Sequence, residues 1–259
     1  MIQSPPNSPR QVIGLYSFPK SGNTWLRAII AGLAKMPNDP GTLQKYVTDT
    51  HYGRVLENPW PYQGTKWYIY KSHFKAPLTE HKGEQISTDK FVYVYRHPLD
   101  IYVSYLNFIS NNVSPQAALP LGVSFDRVED LTPAQMEKLF STFVAHATLF
   151  PQNQAFGSVF ESIDNFKALK AAQGNVHILR YEDLIDNFHV EAAKIGAFVG
   201  FQDIDTKSVF EDADKRTQQN GKFFWKRKKE NFRDYLTKEQ IDRFWLVYGE
   251  QMSVLGYQP

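Results

Sequence analysis

The sequence predicts an α/β fold in which a mostly parallel central sheet is flanked by helices. Short apolar runs of strand character at 12–17, 66–71, 91–95 and 176–180 alternate with longer segments whose apolar residues recur at helical spacing. Each run gives way to polar residues at its C-terminal end, the edge at which a parallel sheet collects its ligands. The first such exit is P-loop-like: "YSFPKSGNTWLRAII", Tyr16 to Ile30, bends through Pro19 and Gly22 into a helix and carries Lys20 in the bend. A strand that turns into a helix leaves N–H groups unpaired at the helix start, and these attract anions.

In chain order, residues 1–10 ("MIQSPPNSPR") hold three prolines and read as a flexible lead-in, with residues 11–259 as a single domain. After the first strand, Leu26, Ile29, Ile30 and Leu33 follow a helical period until "MPNDPG" ends it. Thr42 to Gln63 is irregular and rich in Tyr, Trp, His and Pro, with no periodicity to assign. "KWYIYK" and "FVYVY" are buried strands, and a helix starts near Pro98. Ser110 to Pro133 reads as loop, followed by helices over Pro133 to Phe150 and about Phe156 to Ala172. "VHILR" is the next strand, leading into a helix over Glu182 to Val199, and an amphipathic helix from Lys238 to Val254 closes the chain.

At 259 residues and 42% hydrophobic, the chain can bury one large core. Twenty-nine Lys and Arg stand against 27 Asp and Glu, so the net charge of +2 gives no global signature of nucleic-acid or membrane-surface binding. Any anion site is therefore local. With no cysteine, disulfides, a thiol nucleophile and thiolate metal sites are excluded. No apolar run approaches the ~18 residues of a membrane span, so a soluble cytoplasmic protein without nucleic-acid or membrane partners is expected, of open oligomeric state.

Four constellations carry candidate chemistry. "FPKSGNTW" differs from G-x-x-x-x-G-K-[ST] because its lysine precedes its glycine, so Ser21, Asn23 and Thr24 suit an anion more simply than magnesium. Trp25, one turn in, offers a face for a flat base; equally, the segment is a capped helix with a surface lysine. In "YRHPLDIYVSY", Arg96 ends a strand and Ser104 lies eight residues on, a pairing suited to a phosphate. The alternative is a helix start in which Pro98 initiates, Asp100 complements the dipole and Arg96 is solvated. Lys71 and His73 leave a strand together in "YKSHFKAP", and a lysine beside a histidine favours the neutral imidazole that suits a general base. Last come "RYEDL", "SVF" at 208–210, and the basic and aromatic run from Lys222 to Lys229, readable as a solvated face with core anchors or as a flap over an anionic nucleotide.

Read in order, these pieces resemble the sulfotransferases that use 3′-phosphoadenosine 5′-phosphosulfate (PAPS), in particular their cytosolic small-molecule branch. The family's "YPKSGTTW" is matched with Phe18 for Tyr and Asn23 for Thr, and its "K-[ST]-H" by Lys71-Ser72-His73. The resemblance implies a P-loop-like sulfotransferase fold in which Lys20, Ser21, Gly22, Asn23 and Thr24 hold the 5′-phosphosulfate and Trp25 stacks on adenine. It implies Arg96 and Ser104 at the 3′-phosphate, Tyr181 on the adenine side, and Ser208 and Phe210 clamping the base. The family's R-K-G-x-x-G-D-W stretch is not matched, since "KRKKENFRDYLT" lacks both glycines; Arg227 and Lys228 are assigned there to the 3′-phosphate.

The reaction implied by the resemblance is in-line transfer of a sulfuryl group from PAPS to an acceptor hydroxyl, or less readily an amine, leaving adenosine 3′,5′-bisphosphate (PAP). His73 takes the acceptor proton, while Lys20 and Lys71 are positive where charge develops, with no metal required. The acceptor expected from the aromatic walls at 46–62, 108–125 and part of 146–160 is an apolar or aromatic alcohol or phenol, with a sugar as the alternative. A noncatalytic nucleotide-binding protein would not need the base, and an ATP-dependent kinase would need a magnesium ligand.

Overall fold

The computed structural model describes residues 8–218 and 228–259. Strand β1 (Arg10–Tyr16) leads into α1 (Asn23–Leu33), followed by α2 (Thr42–Tyr46), β2 (Val47–Asp49), β3 (Trp60–Tyr62) and β4 (Thr65–Ser72). A two-stranded hairpin, β5 (Glu80–His81) and β6 (Glu84–Gln85), precedes β7 (Lys90–Tyr95) and α3 (Pro98–Ile109). Helices α4 (Pro133–His146) and α5 (Val159–Gln173) bring the chain to β8 (Val176–Arg180). Then come α6 (Tyr181–Asp186), α7 (Phe188–Val199), α8 (Thr206–Gln218) and α9 (Lys238–Val254).

Five strands form a parallel sheet in the order β2-β4-β1-β7-β8, with β3 antiparallel on β4. Because strand side chains alternate between faces, each strand feeds two cores. Val12 and Tyr16 of β1 and Tyr70 of β4 pack with the side that holds α3, α4, α5 and α9. Ile13, Leu15 and Ile69 pack with the opposite side, under α1, α7 and α8. This double burial is why the strands read as nearly continuous apolar runs. It also places the exits of β1, β2, β4, β7 and β8 at one edge of the sheet.

Helix starts follow local chemistry. Thr132, Ser158 and Thr237 cap α4, α5 and α9, and in each case the residue three positions on, Gln135, Glu161 or Gln240, closes a capping box. At α3 Pro98 supplies the preset first turn, while the His97 side chain accepts from the Leu99 N–H.

Several expected boundaries move. Strand β1 begins at Arg10, and the Pro9 carbonyl already accepts from Lys66 N–H. The helix expected over Pro133 to Phe150 stops at His146, where Ala147 turns left-handed at φ 49°. The helix expected from Glu182 to Val199 is broken at Asn187, φ −137°, into α6 and α7. The loop between Ser110 and Pro133 contains 3₁₀ turns at Pro115–Leu121 and Val128–Asp130. The segment without periodicity contributes α2, β2 and β3, elements of five residues or fewer that are too short to show a period. Helix α8 is a further element that the periodicity did not predict. Among the described residues no helix is long and apolar enough to cross a membrane.

Candidate active site

The bend after β1 is shaped for close approach of backbone to a ligand. Lys20 sits at φ 70° and Gly22 at φ 104°, both left-handed, and this curls the chain into the first turn of α1. A Cβ on Gly22 would lie 2.4 Å from the Tyr181 ring, so only glycine fits between that ring and the loop. The Ser21 hydroxyl is buried without a hydrogen-bond partner, beside the N–H groups that open a helix. Asn23 is turned inward, donating to the Leu15 carbonyl at 3.3 Å and to Ser17 Oγ at 3.1 Å, so it braces the loop from beneath. Thr24 is half-buried in the same turn.

Lys20 holds its ammonium 4.7 Å from the centre of the Phe108 ring. Burial, then the nearby Arg96 and Lys71, push its pKa down to about 8. At pH 7 it is still about 90% charged, since one unit of separation is a tenfold ratio. Lys71, at the end of β4, is buried and paired with Asp49 at 3.0 Å.

His73 leaves β4 next to the exit of β1. Its Nδ1 lies 3.0 Å from the Ser17 carbonyl oxygen and 3.3 Å from Ser17 Oγ. A carbonyl only accepts, so Nδ1 carries the proton and Nε2 keeps its lone pair. Burial, then Lys71, push the imidazole pKa down to about 3, which leaves it neutral at physiological pH. Rings of His51, Phe74 and Phe156 surround this point at centroid separations of 5.7–6.4 Å from one another or from His73.

Arg96 is 7% exposed, which overturns the reading of it as a solvated arginine. Its guanidinium lies 4.6 Å over the Tyr181 ring and donates from Nη2 to the Lys228 carbonyl at 3.1 Å, while Nε is buried without a partner. Asp100, read as a partner of the helix dipole, is buried as well; it accepts from the Glu230 and Phe232 N–H groups, each at 3.0 Å. Burial, opposed by Arg96 and those N–H groups, moves its pKa up to about 6. Ser104 is half-buried two turns along α3.

On the adenine side of the expected site, Trp25 is only 3% exposed, stacked by Phe188 at 5.8 Å and met edge-on by Tyr181 at 5.6 Å. Phe188 in turn touches Phe210 at 4.9 Å, so one ring, missed by the sequence reading, joins the two expected base contacts. Phe210 is 39% exposed and Ser208 lies exposed in the first turn of α8. Lys228, assigned to the 3′-phosphate, pairs its half-exposed ammonium with Asp234, and its carbonyl accepts from Arg96. Arg227, with the rest of 219–227, lies outside the described residues.

Asp49 and Ser17 were also missed. Asp49 fell in the segment without periodicity, where the β-branched pair before it, Val47 and Thr48, was the available signal. Ser17 looked like the last residue of a strand, and only the folded chain brings it to His73. The donor set fits an anionic nucleotide: two buried donors without partners, Ser21 Oγ beside Lys20 and Arg96 Nε at the exit of β7, belong to a group of charges in which Lys20 feels both Arg96 and Lys71, with a glycine where a side chain would collide.

The family model of the sulfotransferase domain matches residues 10–256. The chain belongs to the sulfotransferase family. A 3-alpha-hydroxysteroid sulfotransferase of Cavia porcellus is 27% identical over 189 residues, 71% of this chain; the match spans only 57% of that relative's length. Mouse sulfotransferase SULT7A1, solved in complex with PAP, superimposes with a TM-score of 0.60 at 18% identity, covering 93% of this sulfotransferase chain and 84% of the mouse one. Retinol dehydratase in complex with retinol and PAP gives 0.61 at 15% identity, covering 95% and 83%. Both likenesses support the expected α/β fold with its parallel sheet and flanking helices.

Proposed function

We propose that this sulfotransferase moves a sulfuryl group from PAPS to a hydroxyl of a small apolar acceptor, with His73 as general base. The observation that supports this most is the tautomer imposed on His73 by the Ser17 carbonyl, because binding a nucleotide alone requires no oriented, neutral imidazole. Lys20, the Ser21 hydroxyl and the N–H groups at Gly22, Asn23 and Thr24 would hold the phosphosulfate end. Arg96 and Ser104 would hold the 3′-phosphate. Tyr181, Ser208 and Phe210 would flank the adenine, with Trp25 supporting them through Phe188.

When bound, the donor supplies the activated sulfuryl group. The chain's own contribution is positional and electrostatic: Nε2 of His73 accepts the acceptor's proton, and Lys20 and Lys71 are positive charges fixed before charge develops near them. Burial, then repulsion from Arg96 and Lys71, already lowers the pKa of Lys20, so an anion between these cations relieves an existing cost. The rings of Phe74, Phe108 and Phe156 around His73 and Lys20 favour an apolar or aromatic alcohol or phenol. The names of similar proteins point the same way: one relative is a hydroxysteroid sulfotransferase, and retinol dehydratase was solved with androsterone or retinol. The test is a screen of steroid alcohols, phenols, amines and sugars with sulfur-labelled PAPS. Labelled steroid or phenol is expected, and label on sugars alone would reassign the acceptor class.

A further inference from the structure

We propose that Asp49 is a positioning residue for Lys71, holding the ammonium at the end of β4 charged and fixed in place for the transfer assigned above. The inference rests on that assignment. Its basis is sheet register: Asp49 and Lys71 are direct partners in the parallel pairing of β2 with β4, and Asp49 Oδ2 lies 3.0 Å from Lys71 Nζ. The other carboxylate oxygen is occupied from its own chain, since His51 N–H donates to Oδ1 at 3.0 Å. The next turn is closed by the Tyr52 and Gly53 N–H groups on the Asp49 carbonyl, both at 2.9 Å. Asp49 is thus anchored by three N–H groups and reaches Lys71 with the one oxygen left.

The surroundings make such a partner necessary. Lys71 is faced by Asp49 from β2, Arg27 from α1, Lys20 from the bend after β1, His73 at its own strand's exit, and His51 beyond β2. Asp49 is the sole anion in that group, against three lysine or arginine charges. Burial lowers the pKa of Lys71, and Asp49 opposes the loss. Burial alone would raise Asp49, but Lys71, the His51 N–H and Arg27 outweigh it and leave the carboxylate below its ordinary range. A cavity of about 400 Å³, lined by Arg27, Thr48, Asp49 and Tyr52 among others, adjoins the carboxylate. That cavity gives the carboxylate contact with solvent, which a buried pair lacks, and lowers the cost of keeping both partners ionised.

The test is Asp49→Asn, which retains an oxygen for the His51 N–H. The ε-carbon NMR signal of Lys71, assigned with Lys71→Arg, should titrate about one pH unit lower or more in Asp49→Asn than in the wild type. Single-turnover transfer from labelled PAPS should lose its alkaline side over the same interval, and Asp49→Asn should cost nothing further in a Lys71→Met background. An unmoved Lys71 titration would overturn the proposal, as would an equal loss of rate in both backgrounds, which is what a purely structural carboxylate would give. A shifted titration in a wild-type protein that transfers no label to any acceptor would instead strike the transfer assignment, and with it the catalytic purpose of the pair.

Discussion

The Nδ1 atom of His73 faces the Ser17 carbonyl oxygen at 3.0 Å, a contact between residues 56 positions apart that only the parallel pairing of β1 with β4 creates. It fixes which ring nitrogen can accept a proton. His73→Ala should therefore lower turnover by about 10²–10⁴-fold while changing PAP affinity little. Steady-state rates beside calorimetric PAP binding separate the two effects. A variant that binds PAP poorly and turns over in proportion would place His73 in donor binding.

Lys20 should make donor binding sensitive to alkali. Its pKa in the free protein is about 8, and an anion favours the charged form, so PAP affinity should hold from pH 6.5 to 7.5 and then fall about tenfold per unit above pH 8. The phosphates themselves are already ionised in that range. Lys20→Arg, which stays protonated, should remove the decline. Calorimetric titration at pH 7 and pH 9 checks both, and a decline that survives in Lys20→Arg would assign it to another group.

Arg96 should discriminate between nucleotides, because its unpaired, buried Nε is a donor awaiting an acceptor beside Tyr181. Arg96→Ala should weaken PAP, with its 3′-phosphate, far more than adenosine 5′-monophosphate. Equal losses for both would mean that the arginine serves only to hold the Lys228 carbonyl and Asp100.

Elements with a clear period or apolar run were legible in the sequence, and very short or register-dependent features were not. "VHILR" and Lys238 to Val254 have the same limits in sequence and structure, because one is a β-branched and apolar run paired along β7 and the other a long helix with its own capping box. Lys20, Lys71, His73 and Arg96 could be singled out because each sits where an apolar run ends. Asp49 could not, since β2 is three residues long and its carboxylate gains meaning only from pairing with β4. The orientation of Lys228 was equally hidden: an exposed Asp234 six residues on competes successfully for its ammonium. Phe188 escaped notice because a single aromatic after "YEDLIDN" looks like an ordinary core residue until α7 brings it against Trp25.

Sulfuryl transfer is tested most directly by single-turnover release of PAP from sulfur-labelled PAPS, with excess protein, chelator in place of magnesium, and a steroid alcohol or phenol as acceptor. The predicted result is label on the acceptor oxygen and equimolar PAP in the wild type, slowed by about 10²–10⁴-fold in His73→Ala under the same conditions. PAP bound tightly but no label moved to any alcohol, phenol, amine or sugar would contradict sulfuryl transfer and identify the chain as a nucleotide-binding member of the family.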